Sequence, residues 1–403
     1  MPSSKPSADG SAVAIVADDM TGAADCVLAF GEAGWLAHLE LGNGWTPFPG
    51  NGPHVAAALS TDARALSESA ACDATERAVR AAREAGADRI YLKVDSTGRG
   101  SLAAQIDGAR AAFADTIGLL ILICPAYPAL GRTVGSGRLL VNDVEAAAGA
   151  AGADPITPLR SSDLTALVPG ARAIGGAPEG IPPEWTGAVV LDGATDGDLE
   201  RIAQAVAASE RRRPVLAVGS AGLARALARV WHPAPHEVAV AAPRTDLVVV
   251  SSLHPASRAQ IAHARARGAI HEELDVPRLS DEQLQSAIRA LLESEGPVIV
   301  STKAERLPGA QGAEAQRIAR RLGAAASRAV AAARPRTIGI VGGDGAAALL
   351  TAFGAHRAIV AGRIAPGIPL LHLRTGRASL DVWTKAGGFG PPSLLTDLIF
   401  PIR

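Results

Sequence analysis

The residues of this chain that could do chemistry gather in four places. In Ala17-Asp18-Asp19-Met20-Thr21-Gly22-Ala23-Ala24-Asp25, two adjacent carboxylates stand where an apolar run ends and a helix begins. Asp19 or Thr21 would serve as an ordinary helix N-cap. That role leaves the second carboxylate, and Asp25 in the first turn, without an explanation. Lys93-Val94-Asp95-Ser96-Thr97-Gly98-Arg99-Gly100-Ser101 then packs a lysine, an aspartate, hydroxyls and an arginine into nine residues. Such polar density is costly unless it is exposed or meets a ligand. It suits an anion or a sugar acid.

The third place is Cys124-Pro125-Ala126-Tyr127-Pro128-Ala129-Leu130-Gly131-Arg132-Thr133, where two prolines fix an extended exit and aim Arg132 from a loop. A guanidinium there has the planar fork that clamps a carboxylate or phosphate. Cys124, with no base nearby in sequence, reads as a small buried hydrophobe. The fourth comprises Gly342-Gly343-Asp344-Gly345, which follows an apolar run and opens a helix, and the glycine loop Lys385-Ala386-Gly387-Gly388-Phe389-Gly390. Backbone amides and a helix N-terminus offer themselves to a phosphate. His254, in Ser251-Ser252-Leu253-His254-Pro255, is the histidine at a strand exit, where a phosphate or substrate contact competes with a plain loop role.

Other patterns are weaker. Gly98-Arg99-Gly100-Ser101-Leu102-Ala103 fits GxGxxA, but the acid that should end the next strand and hold a ribose is missing, since that strand ends at Ile123-Cys124-Pro125. There is no GxxxxGK[ST] and no Gly-Lys pair, so a P-loop is excluded. His232 and His236 are four apart, but Pro233 and Pro235 prevent the helix that would make them a metal pair, and no metal ligand set is expected.

The elements that must position these residues alternate. Short branched apolar runs and alanine-rich helical stretches succeed one another from end to end, the pattern of an α/β protein with mainly parallel sheets flanked by helices. Strands are expected at 13–17, 55–59, 90–94, 119–123, 189–191 and 215–218. Helices are expected at 21–33, 68–85, 101–114, 198–208 and 221–230, with loops and short strands across 131–183. Three prolines in 232–243 break the pattern, which restarts with strands at 247–250, 297–301 and 337–341 and helices at 256–266, 313–332 and 346–353. The division expected is an N-terminal domain 1–232, a linker 233–245 and a C-terminal domain 246–403. Ligands of such sheets bind outside the carboxyl ends of strands, which is where the four segments lie.

Composition narrows the partners. The 403 residues are 48% hydrophobic, with 39 basic against 40 acidic side chains. A sizeable core follows, and no overall field would draw the chain to nucleic acid or to an anionic membrane. Aromatics make up 3%, too few for base-stacking platforms. Three cysteines without CxxC spacing, a polar start and no long apolar stretch point to a cytoplasmic protein. Only four of the 39 basic residues are lysines, Lys5, Lys93, Lys303 and Lys385, so a lysine in a candidate segment carries more information than an arginine.

Taken in order, the segments resemble the four-carbon acid sugar kinases. That family carries an ADDLTGA-type start (here Ala17 to Ala23), a KxDSTLRG-type segment (Lys93 to Gly100), a PAxPxxGR segment (Pro125 to Arg132) and a GSAGL turn (Gly219 to Leu223). Its C-terminal loops are of GGET type (Gly342 to Gly345) and KSGNFG type (Lys385 to Gly390); Asp154-Pro155, Thr157-Pro158 and Ser162-Asp163-Leu164 are lesser matches. The resemblance implies a sugar-acid domain followed by a nucleotide domain, the active site in the cleft between them, and ATP-dependent phosphorylation of threonate, erythronate or a 3-oxo-tetronate at C4. Mg2+ would accompany ATP, and a homodimer is expected. Lys93, Asp95, Ser96, Arg99 and Arg132 would bind the sugar acid, with Asp18 or Asp19 as the base. Ser252, His254, Gly342, Gly343, Asp344, Gly345, Lys385, Gly387 and Gly388 would hold the nucleotide. Departures concentrate in the nucleotide half, where a threonine, a serine and an asparagine are lost and Ser251-Ser252 stands for a Gly-Ser pair. Gly98 replaces leucine in the first half. The competing reading is a non-catalytic sugar-acid binder with a degraded ATP site; an oxidoreductase falls with the missing ribose acid.

Overall fold

A computed structural model describes residues 11–42, 44–49, 53–154, 157–176, 180–231, 240, 243–303, 312–375 and 378–400, with the backbone alone at 312, 313, 315, 316, 344, 375 and 378. The chain divides into two compact units, Met1–His38 with Gly44–Glu237, and Leu39–Asn43 with Val238–Arg403. Most of the expected linker 233–245 lies outside the described residues. The assignment of Leu39–Asn43 to the second unit departs from a division at a single point in the chain.

In the first unit, strands lie in the order Val55–Ser60, Ala12–Ala17, Arg89–Lys93, Val215–Gly219, Leu120–Cys124, Gly187–Leu191, Arg172–Ile174, each parallel to its neighbours. Ala12–Ala17 and Leu120–Cys124 are apolar and buried at every position, as strands covered on both faces must be. The helices are Met20–Glu32, Glu68–Glu84, Leu102–Ala111, Asp196–Glu210 and Ala221–Trp231, with a single turn at Leu164–Leu167. Within the irregular 131–183 stretch, Arg132–Gly135, Arg138–Val141 and Val144–Glu145 pair antiparallel in a small separate sheet.

The second unit has the order Ile270–Leu274, Val298–Thr302, Leu247–Val250, Thr337–Val341, Ala378–Lys385, Ile368–Thr375, Arg357–Ala365. The first five are parallel and the last two antiparallel. Ile270–Leu274 and the three strands after residue 356 add to those expected. The first reads Ile-His-Glu-Glu-Leu, an edge strand with two exposed glutamates, and so lacks the apolar run by which buried strands are recognised. A helix at Asp281–Leu292, closed at its start by a capping box between Ser280 and Gln283, is likewise additional.

Candidate functional site

Three neighbouring strands of the first unit end at one level. Ala17 is in register with Ser60 on one side and with Lys93 on the other, so Asp18-Asp19, the loop Thr61 to Arg64 and the segment Val94 to Arg99 leave the sheet together. Asp19 is the N-cap of Met20–Glu32, its Oδ1 accepting the Gly22 N–H at 2.9 Å and its Oδ2 the Thr21 hydroxyl at 2.6 Å. The cap and the site are therefore the same residue. Lys93 is buried, its Nζ 3.4 Å from Asp18 Oδ1 and 4.0 Å from Asp19 Oδ1. A helix N-terminus repels a cation, and the two carboxylates are what hold this one there. Gly22 makes the approach possible, since a Cβ on it would overlap the Lys93 ammonium.

Arg64 is the site residue that the sequence reading missed. Its Nε and Nη2 donate to Asp18 at 2.8 and 3.0 Å, its Nη1 and Nη2 to Asp19 at 3.0 and 2.8 Å, and Nη2 stands 3.5 Å from Asp95. One guanidinium thus ties three carboxylates together. The strand-exit rule would have found it, because it lies four residues beyond Val55–Ser60; among so many arginines its residue type gave no signal. Gly100 packs against Arg64 at φ +88°, a conformation that strains any side chain, and a Cβ there would lie 3.2 Å from the Arg64 Cα.

Asp95 accepts from Arg99 Nε at 3.0 Å and Nη2 at 3.1 Å, from the Thr97 N–H at 3.2 Å, and from the Thr97 hydroxyl. Arg99 also reaches Asp154 at 3.0 Å, which places the lesser motif around Asp154 beside the KxDST segment. Ser96 is half-buried in the turn between them. Arg132 stands on the small sheet, within electrostatic reach of Asp95 and Arg99. Burial would raise the carboxyl of Asp19, but Arg64 and Lys93 outweigh it and hold it below the usual range. Burial is likewise outweighed at Asp95, by Arg99 and Arg64, and at Lys93 by Asp18 and Asp19, which keep the ammonium protonated. Asp25 lies apart from this pattern, its carboxyl pushed up by burial to about 6. The result is a set of ionised carboxylates and protonated cations arranged to accept from hydroxyls and donate to an anion.

In the second unit, Leu247–Val250, Thr337–Val341 and Ala378–Lys385 are neighbours in register, Val250 with Val341 and Val341 with Lys385. Their exits converge. Gly342, at φ +110°, is the N-cap of a helix that starts at Gly343, so Gly343, Asp344 and Gly345 form a first helical turn, where a helix starting only at Ala346 was expected. The Asp344 side chain lies outside the described set. Cβ atoms on Gly342 and Gly345 would strike Ser251 Oγ, and on Gly387 Ser252 Oγ; on Gly388 a Cβ would lie 3.1 Å from His254 Nε2. These glycines are present because the loops touch. His254 caps Pro255–Ala266, its Nδ1 accepting the Ala256 N–H at 3.1 Å, which leaves the ring proton on Nε2, facing Gly388.

Lys385 corrects a further expectation. It is the fully buried last residue of its strand and not part of a flexible loop. Its Nζ donates to the carbonyls of Ala386 at 2.8 Å and Phe389 at 2.7 Å, and burial pushes its pKa down to about 8. A cation held by carbonyls beside a glycine-lined helix N-terminus fits the phosphates of a nucleotide. Mg2+ would arrive with the nucleotide, commonly held by one or two carboxylates and the phosphates themselves. Among the described residues, no three or more His, Cys, Asp or Glu side chains are grouped to hold a metal ion.

The family models for a sugar-binding N-terminal domain and a nucleotide-binding C-terminal domain match residues 13–227 and 247–395. A D-threonate kinase of Bordetella bronchiseptica is 35% identical over 98% of both chains, and a 3-oxo-tetronate kinase of Methylobacterium radiotolerans 28% identical over 94% of this chain and 96% of its own. A crystal structure from Salmonella typhimurium LT2, described as a putative tRNA synthase, shares the fold with TM-score 0.73 at 23% identity over 95% of this chain and 98% of its own. A Bordetella bronchiseptica domain of unknown function, crystallised with citrate as a domain-swapped dimer, is 34% identical with TM-score 0.50 over 96% and 97%. Among the described residues no helix is long and apolar enough to cross a membrane. With both family domains in order and a relative this similar over nearly its full length, the chain belongs to the four-carbon acid sugar kinase family.

Proposed function

We propose that this protein is an ATP-dependent kinase of four-carbon sugar acids, moving the γ-phosphoryl group of Mg·ATP to the C4 hydroxyl of D-threonate or a close stereoisomer. The observation that carries the reading is Asp19, held ionised at a strand exit with Arg64 and Lys93 against it. Its carboxylate takes the hydroxyl proton as the substrate oxygen bonds to the γ-phosphorus and the bond to the ADP oxygen breaks. Phosphoryl transfer runs through a loose transition state in which the hydroxyl gives up its proton late, so a weakly basic carboxylate suffices. Lys385, with the amides around Gly342 and Gly387, would hold the nucleotide phosphates.

The 3-oxo-tetronates are the second substrate class, supported by the Methylobacterium relative. A homodimer accords with the domain-swapped Bordetella crystal form, and a cytoplasmic location with the need for ATP. The test is ADP release with ATP, Mg2+ and a panel of threonate, erythronate and 3-oxo-tetronate stereoisomers. Turnover of D-threonate is expected. Binding of a sugar acid without turnover of any would replace the kinase by a non-catalytic binder.

A further inference from the structure

The cations of the first unit are not equivalent. Arg64 is saturated by Asp18 and Asp19, Lys93 stands against the same pair, and Arg99 is spent on Asp95 and Asp154. Among the described residues Arg132 has no such partner: its Nη1 donates to the Leu130 carbonyl, and its buried Nε finds no acceptor. A buried donor left unmade is expensive and calls for an explanation.

The segment around Arg132 is built to aim it. Tyr127 and Arg132 exchange backbone hydrogen bonds at 2.7 and 3.1 Å, closing a tight loop over a single helical turn at Pro128–Leu130. Gly131 sits at φ +69° against Asn142, where a Cβ would overlap the Asn142 side chain. Arg132 then opens the strand Arg132–Gly135, paired with Arg138–Val141. The rigid turn leaves its guanidinium part-buried among Asp95 and Arg99, where burial disfavours the charge more than Asp95 restores it.

We infer that Arg132 is the specificity residue of the sugar-binding unit, taking the substrate's carboxylate with its guanidinium and so selecting acids over neutral four-carbon polyols. This deepens the kinase reading and rests on it for the identity of the substrate. The geometry assigns the neighbouring groups to the hydroxyls, because their charges are already matched in the free chain, while Arg132 is the cation that a monoanion would complete. Arg132→Lys keeps the charge and loses the fork.

The experiment is calorimetric binding of D-threonate and of its neutral amide to the full chain, without nucleotide, in the wild type, Arg132→Met and Arg132→Lys. A charge-assisted pair of hydrogen bonds predicts that Arg132→Met weakens D-threonate about 10- to 100-fold and leaves the amide within about twofold, with Arg132→Lys between. Equal loss for acid and amide overturns the assignment, as does unchanged D-threonate affinity together with a lost kcat, which would give Arg132 to the transferring phosphoryl group. A wild type that does not prefer acid to amide also overturns it. Acid-selective binding that depends on Arg132 in a chain that turns over no tetronate would defeat the kinase reading and leave this one standing.

Discussion

Arg64 meets Asp19 fork to fork, Nη1 to Oδ2 at 3.0 Å and Nη2 to Oδ1 at 2.8 Å, while its Nε and Nη2 serve Asp18. Two adjacent carboxylates would otherwise repel each other. The arginine sets its positive charge between them, and with Lys93 it holds the carboxyl of Asp19 below the usual range.

Arg64→Gln is therefore expected to destabilise the protein by about 3 kcal/mol, since removing one partner leaves buried charge uncompensated. It should also move the acid limb. A carboxyl whose folded pKa is depressed, as at Asp19, contributes stability that is present above its unfolded pKa of about 3.9 and is lost as pH falls through the folded value. Without Arg64 the burial cost dominates and that pKa rises. Acid unfolding followed by circular dichroism should then begin at higher pH in the variant, and Arg64→Lys should recover part of the shift. Coincident acid transitions in variant and wild type would show that Arg64 does not set the ionisation of Asp19.

Lys385 makes a prediction of the same sign in an alkaline window. Its folded pKa of about 8 lies below the usual lysine value of about 10.4, so between these pH values the unfolded chain binds the extra proton and stability rises with pH. On the proposed phosphate role of Lys385, nucleotide affinity should do the reverse, falling as pH rises through about 8 and the charge is lost. Denaturant unfolding and ADP binding measured from pH 7 to 10 test both trends. Lys385→Met should flatten each; an ADP affinity independent of pH in the wild type would remove Lys385 from the phosphate site.

Much of this was legible from the sequence, for physical reasons that differ between the two halves. Asp18, Asp19, Lys93, Asp95 and Arg99 lie just after fully apolar runs, and buried parallel strands write themselves plainly as Ala12–Ala17 does. The last three strands were not legible because Arg357–Ala365 scatters two arginines, a glycine and three alanines among its branched residues, and antiparallel pairing is set by cross-strand neighbours that no local pattern displays. Lys385 was identified by its rarity and misjudged in its setting: two glycines after it suggested a loop, whereas strand pairing to Val341 carries the ladder through Lys385 itself. Arg64 stayed hidden for the converse reason, being one arginine in a chain rich in them.

The glycines of the second unit can be tested by a paired substitution. A methyl on Gly387 would collide with the Ser252 side chain, and Gly387 has no positive φ to complicate the reading. Gly387→Ala should raise the KM for ATP about tenfold, at a cost of about 1 to 3 kcal/mol for overpacking. Ser252→Gly should relieve the clash, so that the double variant binds ATP better than Gly387→Ala alone. Strictly additive effects in this cycle would mean that the two loops do not touch as described.

Asp18 and Asp19 divide the remaining roles by exposure. Asp18 is fully buried, and both its oxygens accept from Arg64, with Lys93 at 3.4 Å from one of them. Asp19 keeps 14% of its side chain exposed, so of the pair it is Asp19 that a substrate hydroxyl can reach. Asp19→Asn is expected to lower kcat by about 10²- to 10⁴-fold, the usual worth of a general base, with a smaller loss of stability than Asp18→Asn because asparagine is itself a good N-cap. Asp18→Asn should act chiefly on stability, by about 3 kcal/mol, through the cations it leaves unmatched. Steady-state kinetics on D-threonate alongside thermal unfolding would separate them. Should Asp18→Asn lose kcat at unchanged Tm while Asp19→Asn stays active, the base would be the buried carboxylate, and Arg64 would have to leave it during the reaction.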